Sequence, residues 1–556
     1  MLIVVPALSQ IFYNQLFEKD LVKTMEKTRW FLKPNVIIEP LIERWYAWSH
    51  LISPATAAMN VVGRHIKIMK SYIQSSEIHE QAVLNPKMKG GPFMDYKNSR
   101  VADVKNLLDQ TMIRQSDLIQ LSEAILELDN MLKNNAKGYS LEGLYEKVPN
   151  LLKGYVELSY DLNNNASYRL YESLLYSSNF YKKGSQSIAL WLTKNDERPF
   201  CLSTARLDER DVLQINIPFD HSGIDAISRM KREGGEIGDI ANMLGIKENE
   251  IEIFESFFTQ SEHPKYQKYE GSKVRMRYFG HACILIETKD VSILVDPLIS
   301  YYGYESNVVH FSDIDIPDVI DYILITHNHQ DHVLFETLLP LRHKTKNIIV
   351  PSTTSGALQD PNLKLVFQNI GFDNVFEINE MEKMQFENCS ITGIPFTGEH
   401  SDLNVKAKTC FKIAINDFSF LFVADSRVVE PKLYERIHSV IGDIDVIFLG
   451  MECDGAPLSW LYGPLLSENL ARDKDQSRRL SGSDFEKGMS LVDIFNPSEV
   501  YVYAMGQEPW LEFISSIKYT DESNPIVQSN KLVDECNKRG ITSERLFGEK
   551  ELFYNR

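Results

Sequence analysis

The second half of the chain alternates short apolar runs with polar breaks. Residues 275–279, 284–287, 292–295, 322–325, 347–350, 364–367, 390–394, 409–415, 418–423, 445–449 and 499–503 are rich in β-branched, aliphatic or aromatic residues, and six of the eleven are followed directly by Gly, Pro, Asn or Asp. Runs of this length and composition predict buried strands. Asn416-Asp417 between two of them predicts a hairpin turn, and Asp296-Pro297 closes a third strand. Leu334, Leu338 and Leu341 switch to helical spacing directly after a polar cluster. Strands interleaved with helices predict an α/β layered domain built on mixed sheets.

The first half has a different pattern. Residues 1–140 read as mainly helical, with an apolar start at 1–8 that predicts a buried strand. The aromatic-rich stretch 44–73 contains His50 and His65, which are either ligands or, the reading preferred, buried or surface histidines of a packed helical region. Lys89-Gly90-Gly91-Pro92 breaks the pattern. Ser116 then reads as an N-cap, followed by Leu118, Leu121, Ile125, Leu128 and Leu132 on one helical face, a stripe that is either core or a dimer seam. Runs 188–192 and 212–217 predict strands among Tyr168, Tyr171, Tyr176, Tyr181 and Trp191. Residues 237–244, Gly245 and 248–258 make a helix–turn–helix pattern, but the second helix carries Glu248, Glu250, Glu252 and Glu255, where a DNA reader needs bases. The polar segment 261–272 reads as a linker. The expected domains are therefore 1–271, an α+β accessory domain that is mostly helical, and 272–556, the catalytic domain. Segment 455–488 has few regular signals and, with Trp460 and Tyr462, reads as a lid or binding loop.

Composition narrows the class. At 556 residues the chain exceeds one ordinary domain. A net charge of −18 argues against nucleic acid and against an anionic membrane surface. Six scattered cysteines without a CxxC fit a reducing cytoplasm, and no apolar run reaches membrane-spanning length. A cytoplasmic protein with no membrane partner is expected.

The chemistry gathers where strand 322–325 ends, in Thr326-His327-Asn328-His329-Gln330-Asp331-His332. His327 and His329 are two apart and share a side, while Asp331 and His332 follow where the helix begins. Imidazole with carboxylate suits zinc, iron or manganese. Asp425 ends the apolar run 419–424 and can bridge two cations. Gly398-Glu399-His400 offers one more ligand, either Glu399 or His400. Asp296 is either a carboxylate behind a ligand histidine or a turn residue before Pro297. His281 is either pocket-lining or structural.

The order His327-x-His329-x-Asp331-His332, a ligand near 400, then Asp425 resembles the metallo-β-lactamase superfamily, as do Gly280-His281 and Val295-Asp296-Pro297. The resemblance covers roughly 272–556 and implies an αββα sandwich with a two-metal site at the sheet edge. It departs from the hydrolases of that fold in two places. No histidine follows His438, and 501–509 reads Tyr-Val-Tyr-Ala-Met-Gly-Gln-Glu-Pro where a late histidine ligand is usual. Glu399 also stands where the third histidine of the first metal would be.

An oxygen-rich set with open positions suits iron that meets dioxygen. In this the chain is similar to the diiron β-hydroxylases of the kind that serve chloramphenicol biosynthesis, and Arg44-Trp45-Tyr46-Ala47-Trp48-Ser49-His50-Leu51 and Gly90-Gly91-Pro92-Phe93 resemble their N-terminal domain. The resemblance implies hydroxylation at the β-carbon of an amino acid held as a thioester on the carrier domain of a nonribosomal peptide synthetase. It implies His327, His329 and Glu399 on one iron, Asp331 and His332 on the other, and Asp425 between them. Glu452 is either a further carboxylate of that site or a loop acid.

Two ferrous ions would bring four positive charges against three from Asp331, Glu399 and Asp425. Dioxygen is the co-substrate. An electron donor protein or other external reductant is needed, since no GxGxxG follows a strand. A channel for the carrier's arm is expected between the domains, with Trp460 and Tyr462 either in its wall or in the core. A homodimer is expected. The alternatives are a binuclear zinc hydrolase, such as a thioesterase with Asp425 orienting a metal-bound water, and a metal-stabilised scaffold without catalysis.

Overall fold

The computed structural model describes residues 29–555 apart from 86, 87, 89, 355 and 517. The strand expected at 1–8 lies outside the described residues. In the C-terminal half two seven-stranded sheets lie face to face. The first runs Val375–Ile378, Thr345–Pro351, Ile320–Leu324, Ser292–Val295, Ile284–Glu287, Val274–Tyr278, Lys550–Tyr554. The second runs Lys383–Gln385, Ser390–Ile394, Cys410–Ile415, Phe418–Phe422, Val446–Gly450, Glu499–Tyr503, Thr542–Arg545. Between them Met276, Ile293, Leu324 and Ile349 meet Ile391, Phe411, Phe420 and Phe448. Helices Phe335–Leu341 and Leu363–Asn369 cover one outer face, and Pro431–Ile441, Phe485–Phe495 and Asn524–Lys538 the other. This is the expected αββα metallo-β-lactamase sandwich.

Register places the chemistry. Val295, Leu324 and Ile349 are partners across three parallel strands, so Asp296 and the motif after Leu324 emerge at one edge. In the second sheet Phe422 pairs with Phe448 and Phe448 with Tyr501, which brings Asp425, Gly450 and the segment after Tyr503 to the corresponding edge.

In the N-terminal half an antiparallel sheet of order Trp45–Tyr46, Val36–Ile42, Gln186–Leu192, Leu213–Ile215 is flanked by helices. The two halves share apolar cores. Trp45, Leu121 and Leu128 cluster with Leu298, Tyr462 and Trp510. No helix among the described residues is long and apolar enough to cross a membrane.

Several expectations need correction. Residues 364–367 are helical, within Leu363–Asn369. Asn362 caps that helix by accepting the Leu365 N–H, and Leu363, Val366 and Phe367 bury one helical face. The described part of 1–140 begins with strands rather than helix. Ser116 is the first helical residue, and Gln115 occupies the cap without a side-chain bond. The stripe Leu118–Leu132 packs inside its own chain, so it is core and no dimer seam. Val375–Ile378, Lys383–Gln385, Thr542–Arg545 and Lys550–Tyr554 are strands that the apolar pattern did not mark.

Candidate metal centre

Three strand ends and one loop build the site. The Thr326 carbonyl accepts the Thr409 N–H at 2.7 Å, and His327 bridges to Lys408. These bonds hold the 398–409 loop against the motif and bring Glu399 beside it. Asp425 follows Ala424, and a Cβ on Gly450 would stand 2.9 Å from Asp425 Oδ1 and 2.5 Å from the Ala424 carbonyl. Only glycine lets that carboxylate sit there. Around the site His281, Asp296, Glu399, Ala424 and Ala504 all adopt left-handed φ between 41° and 60°. Such strain persists where surrounding structure imposes it, commonly at functional sites.

The side chains converge in three overlapping groups, each with its donor atoms within 4.8 Å: His327, His329 and Glu399; His327, His332 and Asp425; His281, Asp331 and His332. His329 Nδ1 lies 2.9 Å from Glu399 Oε1. His332 Nε2 lies 3.2 Å from Asp425 Oδ2, and His327 Nε2 lies 3.8 Å from the same oxygen. Asp425 thus stands beside both His327 and His332. His327 and His332 are fully buried, Glu399 nearly so, and the Asp425 and Asp331 side chains keep some exposure.

A second layer orients this one. Asp296 Oδ2 accepts His332 Nδ1–H at 2.8 Å, and its two oxygens also take the Thr326 N–H and hydroxyl. Of its two sequence readings, Asp296 therefore makes the contact with a histidine of the site. The Tyr462 hydroxyl is 3.1 Å from His329 Nε2. Arg64, from the N-terminal half, donates to the carbonyls of Trp460 and Leu461 at 2.9 and 2.8 Å and so anchors the helix that carries Tyr462.

The charge states follow from these neighbours. Burial, then His332, pushes the His327 pKa well below its ordinary value, which favours the neutral ligand form. Burial opposes charge on His332 too, but Asp425 and Asp296 outweigh it and hold its pKa well above 6.5. Against burial, His329 and His400 hold the Glu399 carboxyl far below its usual range. His281 and His332 do the same for Asp331.

The remaining candidates fall outside the three groups or at their margin. His400 is buried with Nδ1 2.8 Å from Glu399 Oε2, so it packs behind the carboxylate, while Glu399 joins His327 and His329. Glu452 is bound by the Tyr519 hydroxyl at 2.7 Å and the Gly455 N–H at 2.6 Å, and burial raises its pKa to about 7. It belongs to none of the three groups. His50 stacks on Trp48 and His65 on Trp45, as packed histidines do. Tyr462 is buried core rather than an exposed wall. Sequence reasoning missed its bond to His329, because residues 133 positions apart carry no spacing signal. It also left His281 undecided.

The chemistry of the donor set fits a pair of cations. His327 Nε2, Asp425 Oδ1 and His281 Nδ1 are buried without a hydrogen-bond partner. Orphaned groups of this kind are costly in a folded protein. Two donors on one ion, each about 2.1 Å from it, stand roughly 3 to 3.5 Å apart. The separations of 2.9 and 3.2 Å match that spacing.

Comparison with known proteins gives a consistent picture. Residues 31–262 match the family model described as "Diiron non-heme beta-hydroxylase N-terminal domain", and residues 292–455 match "Beta-lactamase superfamily domain". The chain is 38% identical over 526 residues to the 4-amino-L-phenylalanyl-[CmlP-peptidyl-carrier-protein] 3-hydroxylase of Streptomyces venezuelae, covering 93% of this chain and 98% of that protein. It superposes on the crystal structure of CmlA, a diiron beta-hydroxylase from Streptomyces venezuelae, with a TM-score of 0.88 at 36% identity, over 94% of this chain and 99% of that one. A metal-dependent hydrolase of Bacillus subtilis, YtkL, is 30% identical over 147 residues, which is 25% of this chain and 61% of that protein.

Proposed function

The chain belongs to the diiron non-haem β-hydroxylase family, and on that premise we propose that it hydroxylates the β-carbon of an aminoacyl thioester carried by a nonribosomal peptide synthetase. His327, His329 and Glu399 would hold one iron. Asp331 and His332 would hold the other, with Asp425 as a carboxylate available to both. The observation that carries this reading is the grouping of Glu399, rather than a third histidine, with His327 and His329. That carboxylate, with no histidine after His438, gives the oxygen-rich set that suits iron over a closed zinc site.

When bound, the two irons supply activation of dioxygen with electrons from an external reductant. The chain's own residues do the rest. Asp296 fixes the tautomer of His332 by accepting its Nδ1–H, and Tyr462 holds the far nitrogen of His329. The packed sheet interior beneath the motif keeps bulk water from that side. Glu452, half-buried with its pKa raised to about 7 by burial, is a carboxyl able to hold or yield a proton near neutral pH.

The reading also needs a route for the carrier's arm. A cavity of about 800 Å³ lies between the halves, lined by Ile37, Lys231 and Arg232 on one side and Leu298, Leu334 and Trp510 on the other. Leu298 and Leu334 are each two residues from Asp296 and His332. The volume suits an extended organic arm, and the lysine and arginine suit a phosphate. Trp460 and Tyr462 do not line it. An electron donor protein and a homodimer through a surface other than the Leu118–Leu132 stripe complete the proposal, as does a cytoplasmic setting.

The test is turnover. The reduced, iron-loaded protein is mixed with a carrier bearing 4-amino-L-phenylalanine, the first substrate to try, and isotopically labelled dioxygen. One labelled oxygen on the β-carbon of the intact thioester is expected. Thioester cleavage without oxygen incorporation, across a panel of loaded carriers, would select the zinc hydrolase instead.

A further inference from the structure

The short helix that carries Tyr462, Leu458–Tyr462, cannot complete its own last turn. The Trp460 carbonyl would take its bond from the N–H four residues on, but that residue is Pro464, which has none. The donor comes from the other half of the molecule. Arg64 Nη2 donates to the Trp460 and Leu461 carbonyls at 2.9 and 2.8 Å, and Arg64 Nε donates to Asn60 Oδ1 at 3.3 Å. We propose that Arg64 is a positioning residue for the metal centre. By holding these two carbonyls it sets the Tyr462 hydroxyl against His329, so that the N-terminal half tunes a metal ligand carried by the other half. This assignment rests on His329 as a ligand in the reading above.

Three features single out Arg64. The first is its backbone. Pro54–Asn60 and Lys67–Gln74 are α-helical, but Val61–Ile66 between them winds as a wider π-helix. Such turns are rare and occur mostly at functional positions. The second is the closeness of the two segments. A Cβ on Gly63 would stand 2.8 Å from the Pro464 Cα and 2.9 Å from its carbonyl oxygen, so only glycine lets the backbones meet. The third is charge. Arg64 is 6% exposed, and among the described residues its side-chain bonds go to neutral oxygens only, so burial lowers its pKa to about 10. A buried cation with neutral partners is a costly way to fill space. What a guanidinium adds is a rigid fork of donors that can serve adjacent carbonyls.

Tyr462 passes this restraint to the metal centre. His329 Nδ1 lies on the Glu399 side, 2.9 Å from Oε1. With Nδ1 toward a metal, Nε2 keeps its hydrogen and donates it to the Tyr462 oxygen at 3.1 Å. The acceptor behind a ligand imidazole fixes the ring and sets how strongly it donates to the metal. His332 has the Asp296 carboxylate in that place, and His329 has a neutral phenol held from the N-terminal half.

The test compares wild type, Arg64→Met, Tyr462→Phe and the double variant. Each is stripped of metal and loaded anaerobically with ferrous iron, and iron affinity and the reduction potential of the loaded centre are measured. Tyr462→Phe should raise the potential, because an imidazole without an acceptor donates less to the metal, and should weaken iron binding about fivefold. Arg64→Met should move both in the same direction, and the double variant should go no further than the larger single change. Arg64→Lys, with one compact ammonium for two carbonyls, should fall between Arg64→Met and wild type. It carries the comparison if Arg64→Met does not fold by circular dichroism.

An Arg64 variant that loses unfolding stability while affinity and potential stay at wild-type values would overturn the assignment. So would shifts that add in the double variant, or a Tyr462→Phe protein with neither shift. The affinities are repeated with zinc. A wild type that holds zinc and excludes iron contradicts the proposed function, while non-additive weakening of zinc binding by Arg64→Met and Tyr462→Phe still upholds Arg64.

Discussion

Two clusters of buried ionisable side chains flank the same short helix, Phe335–Leu341, and they are built in opposite ways. On one side Arg198 pairs with Asp196, Glu336 and Glu39, and Arg206 pairs with Glu39, at distances of 2.5 to 3.5 Å. Arg198 also stacks on Phe513, with its guanidinium carbon 3.6 Å from the ring centre. The carboxylates and guanidinium groups meet each other and close the seam between the two halves. On the other side, His327, Asp425 and His281 keep buried nitrogens and oxygens with no partner. Burial and charge are similar in the two clusters, so neither marks a functional site. The difference is closure. A satisfied network holds the fold together, while an open one is completed by something the chain does not contain.

The largest expected effect breaks the open cluster. Asp425→Ala should reduce bound iron from two per chain to one or none and abolish hydroxylation, while circular dichroism stays native. Next, Arg198→Met leaves three buried carboxylates facing an apolar side chain and should cost about 3–5 kcal/mol of unfolding free energy. The surviving folded protein should keep its metal count. If instead Arg198→Met empties the metal site at unchanged stability, the contrast between the two clusters fails.

Glu172 sharpens the comparison from the pH side. It is buried against the Asn362 N–H across the seam, and burial raises its pKa from 4.5 to about 7. The folded state therefore binds this proton more tightly than the unfolded chain. The associated stability is full below pH 4.5 and declines as pH rises to about 7. Glu172→Gln should remove up to about 3 kcal/mol of that slope in denaturant titrations. A slope unchanged by the substitution would show that Glu172 does not titrate there. Smaller still, Asp296→Asn should weaken iron binding about 10- to 100-fold by misorienting His332. Tyr462→Phe should cost about 1 kcal/mol or less, read as a modest loss of iron affinity at the His329 end.

The open cluster was more legible in the sequence than the closed one. Central strands covered on both faces are buried throughout, so 284–287, 292–295 and 499–503 read as apolar runs and match the observed strands to within a residue. Edge strands such as Lys550–Tyr554, which reads Lys-Glu-Leu-Phe-Tyr, include charged residues and lack that signal. The run 364–367 was ambiguous because four apolar-rich residues fit either period, and the Asn362 cap decided it. The HxHxDH spacing and the strand-end Asp425 were visible because their geometry is local. Asp296 precedes Pro297 and so fits a turn as well as a histidine contact, and Tyr462 and His281 depend on contacts that only folding creates. Arg198, Glu39 and Glu336 have no spacing pattern, so nothing along the chain announced the network at the seam.

The most direct test of the open cluster as a diiron site is the metal content of protein produced with iron available and zinc chelated, together with its absorption spectrum. Two irons per chain, with the spectrum of an oxygen-bridged diferric pair, is the predicted result. Two tightly held zincs that iron does not displace would contradict it.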